Sequence, residues 1–176
     1  MKRSRYFLSG VVALSLSAVF HLSSPALADG PDLIFRKSTD FKLLTPNDKL
    51  ATYVLDDPDI NGIACYYTVH EKGGVAGMFG VAEQTSDVSL ACRQFGPVSF
   101  KDKFGQGDEV FSERRSALWK RLHIVRGCDS KRNALVYMAY SDRLIEGSPE
   151  NSTSSVPIQP WGGAGEVARC GDFLKN

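Results

Sequence analysis

The chain is short of the residue types on which most recognisable chemistry rests. Only three histidines occur in 176 residues, and no two cysteines stand as Cys-x-x-Cys. A zinc site, which draws on closely spaced thiolates and imidazoles, is therefore poorly supplied. No Gly-x-Ser-x-Gly elbow is present to carry a hydrolase serine. The glycine-rich run from Gly73 to Gly80 lacks the Gly-Lys-Ser/Thr ending of a phosphate loop and reads as a connector. Charge of one sign is missing as well: 21 Lys+Arg face 20 Asp+Glu, which leaves no electrostatic footprint for nucleic acid. The densest basic cluster, Arg114, Arg115, Lys120 and Arg121, is broken by apolar residues and reads as a solvated strand face. No cofactor is expected.

What is present begins with a three-part N-terminus. Lys2, Arg3 and Arg5 form a positive start, Tyr6 to Leu22 is mostly apolar, and Ala26-Leu27-Ala28 places small residues where a signal peptidase reads. The apolar stretch is shorter than the roughly 20 residues of a membrane-spanning helix and is diluted by Ser9, Gly10, Ser15, Ser17 and His21. Residues 1–28 are thus expected to be a cleaved signal peptide. The expected location is the periplasm, with no membrane span after cleavage. The remaining 148 residues carry 18 Lys+Arg against 20 Asp+Glu, a formal charge of −2. That length is about one domain.

Four cysteines, Cys65, Cys92, Cys128 and Cys170, all lie beyond the leader. In an exported chain an even count favours two disulfides, and spacing alone leaves three pairings open. Strand signals dominate elsewhere. Ala51–Leu55 and Ile63–Val69 are rich in β-branched and aromatic residues, separated by Asp56 to Gly62, and read as antiparallel neighbours. Leu118–Val125 and Ala134–Tyr140 flank a polar turn and make the clearest hairpin, with Glu109–Arg115 a further strand before it. One segment reads differently: Val88, Ala91, Cys92 and Phe95 recur at helical spacing before Gly96-Pro97, which predicts a short helix over residues 87–95. Gly147 to Ser155 reads as a polar loop. The predicted class is α+β, mostly antiparallel β-sheet with one or two short helices, in a single disulfide-stapled domain.

The sharpest local motif is Asp57-Pro58-Asp59-Ile60-Asn61-Gly62, which matches the first half of a calcium loop. The match fails at position twelve, which is Thr68 in place of a glutamate, and the residue types are also those of a tight turn. His70 and His123 could each act as a base, but both fall in predicted strands, where a hydrogen-bonded, half-buried histidine is the commoner outcome. The candidate binding residues are the charged groups on turns and loops: Asp57, Asp59, Glu83, Asp87, Arg132, Asp142 and Glu146. No catalytic residue and no metal ligand is assigned.

Taken in order, several stretches resemble one family. They are Asp56-Asp57-Pro58-Asp59, Cys65, Gly73-Gly74, Ala82 to Asp87, Cys92 and Gly96-Pro97, then Asp129 to Leu135, Ala139 to Asp142, Glu146 to Pro149, Ser155 to Ile158 and Pro160-Trp161. This succession, over residues 33 to 161, is similar to the CreA proteins, a small family exported in Gram-negative bacteria. The resemblance implies compartment and fold and supplies no catalytic residue. It divides the chain into a signal peptide (1–28), a CreA-like domain (29–161) and a glycine-rich linker with a disulfide-anchored tail (162–176). Two features depart from the family pattern together, Cys128 and the tail that carries Cys170. The resemblance therefore implies the pairs Cys65–Cys92 and Cys128–Cys170. Few apolar residues follow Trp161, so the second bond is expected to be the tail's main attachment.

Three functions are open on these grounds. The first is a non-enzymatic binding or interaction module, whose partner is a protein or small molecule of the periplasm. The second is a hydrolase-like enzyme using Glu83, Asp87, Ser141 or Asp142 in a loop-lined pocket. The third is a structural or envelope-stress protein without a small ligand. Convergence of such groups in one pocket would favour the enzyme.

Overall fold

A computed structural model describes residues 30–41, 43–44, 47–74, 88–114, 121–142, 150–163 and 166–175. Its elements are eight strands: β1 (Asp32–Ser38), β2 (Lys49–Asp56), β3 (Ile60–Glu71), β4 (Val88–Phe100), β5 (Asp108–Arg114), β6 (Arg121–Asp129), β7 (Ala134–Ser141) and β8 (Asn151–Pro157). Two short 3-10 turns follow, at Trp161–Gly163 and Cys170–Phe173. The strands form two four-stranded sheets in sequential order, β1-β2-β3-β4 and β5-β6-β7-β8, antiparallel throughout. Among the described residues no helix is long and apolar enough to cross a membrane.

Period-two patterning drives this arrangement. On β3, Ile63, Cys65, Tyr67 and Val69 are buried, while Tyr66 and Thr68 between them are half-buried. On β6 the buried set is Leu122, Ile124, Arg126 and Cys128. The inner faces of both sheets share one core with Leu135, Tyr137, Ala139 and Val156.

The α+β expectation is overturned, because the described elements include no α-helix. Residues 88–95 belong to β4, where Leu90, Cys92 and Val88 stand opposite Tyr67, Cys65 and Val69 of β3. The helical spacing of Val88, Ala91, Cys92 and Phe95 is a coincidence of sequence. Cys92 is buried, whereas Phe95 is half-exposed. The disulfide to Cys65 and the strand register decide the conformation, and tertiary pairing overrides a nine-residue local pattern. The polar loop expected at 147–155 is also corrected over part of its length: Asn151 to Ser155 opens β8 and pairs with β7.

The sheets are joined at one side by serine side chains. The edge strand β4 donates Leu90 N–H to Ser152 Oγ (3.1 Å) and Cys92 N–H to Ser154 Oγ (2.9 Å) of β8. Gln94 and Gln159 continue the seam, the Gln94 amide donating to Gln159 C=O (2.9 Å) and accepting from Gln159 N–H (3.0 Å). Strands β1 and β5 remain as the other two sheet edges.

The cysteines form Cys65–Cys92, directly across β3 and β4, and Cys128–Cys170. The tail has more than its disulfide. Phe173 stacks on Phe100 at 4.3 Å, and Phe104 exchanges main-chain hydrogen bonds with Phe173 and Lys175, each 2.9 Å. Asn133, in the left-handed region at φ 50°, donates to Ala168 C=O (3.0 Å) and accepts from Cys170 N–H (2.9 Å). The disulfide, expected as the tail's main attachment, is thus one of several contacts that hold it.

Candidate functional site

The turn between β2 and β3 does not turn its carboxylates outward together. Asp57 is buried and its Oδ1 accepts from Asp59 N–H (2.9 Å) and Ile60 N–H (3.1 Å), which closes the turn. The same oxygen meets Arg126 Nη1 of β6 at 2.5 Å, and Oδ2 accepts from Tyr137 Oη of β7 at 2.6 Å. Arg126 Nη2 reaches Asp59 Oδ2 at 3.1 Å, and the guanidinium lies over the Phe104 ring, 4.6 Å from its centre. Burial works against the charge on Arg126, but the hydrogen bond and attraction to Asp57 outweigh it and raise its pKa. Burial, together with the Asp57 carboxylate, also pushes the Tyr137 phenol strongly upward, so it remains a donor. These four donors occupy Asp57 fully and give the turn a rigid base.

Above that base lies an open cleft of about 870 Å³. Its apolar lining includes Val54, Leu55, Ile60, Ile63, Phe95, Val110 and Phe111, drawn from both sheets. Its polar lining includes Asp32, Asp56 and Lys101. Lys101 Nζ donates to Pro58 C=O at 2.6 Å and is committed to the turn. Strand β1 brings Asp32 opposite Val54 of β2, two residues from Asp56, so the two carboxylates share one sheet face.

A second polar cluster sits on the outer face of the β5–β6–β7 sheet. His123 Nδ1 meets Glu109 Oε2 at 2.5 Å, and Nε2 meets Asp142 Oδ2 at 3.0 Å. The imidazole stacks on Tyr140, 5.0 Å between ring centres. Burial lowers its pKa, but the hydrogen bonds to Glu109 and Asp142 prevail and the net shift is upward. Ser112 stands opposite His123 in the strand register, yet its Oγ is buried and makes no hydrogen bond. Both imidazole nitrogens are held by carboxylates, so this is not a hydroxyl–imidazole nucleophile pair. Among the described residues no group of three or more His, Cys, Asp or Glu is placed to hold a metal ion.

The candidate binding residues therefore do not converge. Asp57 and Asp59 meet on Arg126, whereas Asp142 joins His123 on another face. Arg132 pairs with Asp129 at 2.8 Å in the β6–β7 turn, and that bond holds the Asp129 carboxyl below its ordinary value. Glu83, Asp87 and Glu146 lie outside the described residues. Arg126, Glu109 and the cleft carboxylates Asp32 and Asp56 were not singled out from sequence. For Arg126 a signal existed: it falls in step with Leu122, Ile124 and Cys128, on a face that should be apolar.

Fold and site together define a small, doubly disulfide-linked, all-antiparallel β protein with an open cleft over a buried ion-pair network. Comparison with known proteins specifies the family. The profile of the CreA protein family matches residues 34–161, and the chain belongs to that family. Protein CreA of Escherichia coli strain K12 is 44% identical over 127 residues, covering 70% of this chain and 81% of the relative. The proteins of the same name from E. coli O6:H1 strain CFT073 and from E. coli O157:H7 match to the same extent. No solved structure matches the chain significantly.

Proposed function

We propose that this CreA-family protein is an exported, non-enzymatic binding module of the periplasm, with residues 1–28 removed as a signal peptide, residues 29–161 as the binding domain and residues 162–176 as its anchored tail. The observation that carries the binding role is the cleft above the Asp57–Arg126 network. Its floor is apolar and set on that network, and the carboxylates of Asp32 and Asp56 on its lining make no side-chain hydrogen bond or ion pair among the described residues. That lining suits a small ligand with an apolar body and a cationic or hydrogen-bond-donating end. Among the described residues the lining includes no serine, threonine, cysteine or histidine, so it holds no hydroxyl–imidazole or thiol–imidazole pair.

The test is native mass spectrometry of the protein purified from the periplasm of a Gram-negative host. The intact mass should place the N-terminus at Asp29, and a small molecule should accompany the wild type but not an Asp32→Asn/Asp56→Asn variant. Retention of Met1 would remove the export reading. A wild type that carries nothing, or a ligand held equally by the variant, would remove the cleft.

A further inference from the structure

Ten large hydrophobic residues among those described are exposed, and seven of them lie between Leu33 and Leu50, on the β1–β2 hairpin. Three are extreme: Phe41, Leu43 and Leu44, at 82%, 83% and 92% exposure. Single exposed hydrophobics need no explanation, but a concentration on one element does. The connection that carries these three is held at its base. Thr39 N–H donates to Asp48 C=O (2.9 Å), and Asp48 N–H donates to Asp40 Oδ1 (2.7 Å). Asp48 Oδ1 in turn accepts from Gly73 N–H at 2.6 Å. The two nearby carboxylates are thus engaged with backbone amides. Behind this neck the register pairs Ser38 with Lys49 and Lys37 with Leu50, so two lysines flank the apolar tip, one on each strand.

We infer that the β1–β2 tip is a lipid-surface anchor, which inserts Phe41, Leu43 and Leu44 below the headgroups of an anionic bilayer while Lys37 and Lys49 stay at the phosphate level. Exposure above four-fifths means that Phe41, Leu43 and Leu44 project outward, with little of the described part of the protein beside them. A flat interface with a second copy would cover one side of such a tip, whereas a bilayer covers it on all sides. The basic collar complements anionic headgroups, and lysine stems of this length reach past apolar surface to the interface. Buried apolar area and electrostatic attraction then add, as they do for other interfacial anchors.

The test uses periplasmically purified protein whose mass shows that residues 1–28 are gone. It is floated with phosphatidylethanolamine vesicles, with and without phosphatidylglycerol. Wild type should float, better with phosphatidylglycerol and worse in high salt. The Phe41→Ser/Leu43→Ser/Leu44→Ser variant should partition at least about tenfold more weakly, because its transferable apolar area is gone. Should that variant fail to fold, Lys37→Glu/Lys49→Glu carries the test, since it should lose only the phosphatidylglycerol-dependent part. Wild type that ignores vesicles, or a serine variant that floats as wild type does, overturns the inference. So does a dimer, seen by light scattering, that the serine variant dissolves without any vesicle binding by wild type.

Discussion

Asp57 and Arg126 are 69 residues apart in sequence and meet at 2.5 Å in the core, tying the turn of one sheet to a strand of the other. Both side chains are almost wholly excluded from solvent. Burying two charges costs several kcal/mol each, and this pair offsets the cost with extra bonds from Tyr137, Asp59 and Ile60. Removing one partner strands the other. Arg126→Met should therefore destabilise the fold by about 3 to 5 kcal/mol in urea unfolding. The double variant Asp57→Leu/Arg126→Met should recover much of that loss, because no buried charge is left unpaired and the Asp59 carboxylate that also loses Arg126 is half-exposed to solvent. A single variant within about 1 kcal/mol of wild type would show that the pair does not link the sheets.

The two disulfides should matter about equally. They close loops with sequence separations of 27 and 42 residues, for which the chain-entropy model gives about 4 kcal/mol each. Cys170 is fully buried and its tail packs Phe173 on Phe100, so the second bond stabilises core rather than a loose end. Melting of Cys65→Ser/Cys92→Ser and Cys128→Ser/Cys170→Ser should show comparable losses. If the second variant melted as wild type does, the tail would not belong to the core.

How much of this was legible follows from which residues face inward. Strands β2, β3, β6 and β7 are runs rich in β-branched, aromatic and other apolar residues bounded by turn residues, and their pairing could be read directly. Strand β8 could not, because two of its inward positions are Ser152 and Ser154, chosen to bond β4 and looking like loop. Strand β1 has no buried residue and so leaves no periodic trace. The Asp57 turn was legible as oxygen-rich, but its partner on β6 lies beyond any local window. Glu109, His123 and Asp142 come from three different places for the same reason.

Gly62 and Gly96 give a third prediction. The sequence reads them as a turn and a helix stop, but they lie side by side where β3 and β4 shift register. Gly62 has φ +80°, and a Cβ there would stand 2.5 Å from Pro97 O. Gly62→Ala should cost more than about 1 kcal/mol. Gly107, at φ +84° with open space around it, isolates the conformational part. Gly107→Ala should cost less in the same unfolding assay, and equal losses would refute the steric argument.

The last prediction concerns pH. His123 is faced by Glu109 from β5, by Asp142 just past β7, and by the ring of Tyr140. Burial disfavours its charge, but the two carboxylate hydrogen bonds prevail, so the folded pKa lies above the ordinary value. A group whose pKa rises on folding stabilises the native state fully below its unfolded pKa, about 6.5 for histidine. That contribution is lost as pH rises through the folded pKa. Neutral imidazole can donate from only one nitrogen, so above that pH one of the two carboxylates loses its hydrogen bond. The stability difference between wild type and His123→Gln should therefore be larger near about pH 5.5 than near about pH 8.5. Glu109→Gln and Asp142→Asn should each lower the His123 titration midpoint followed by NMR, because each removes one stabilising acceptor. A His123 that titrates at or below the ordinary value, or a difference that grows with pH, would sink the argument.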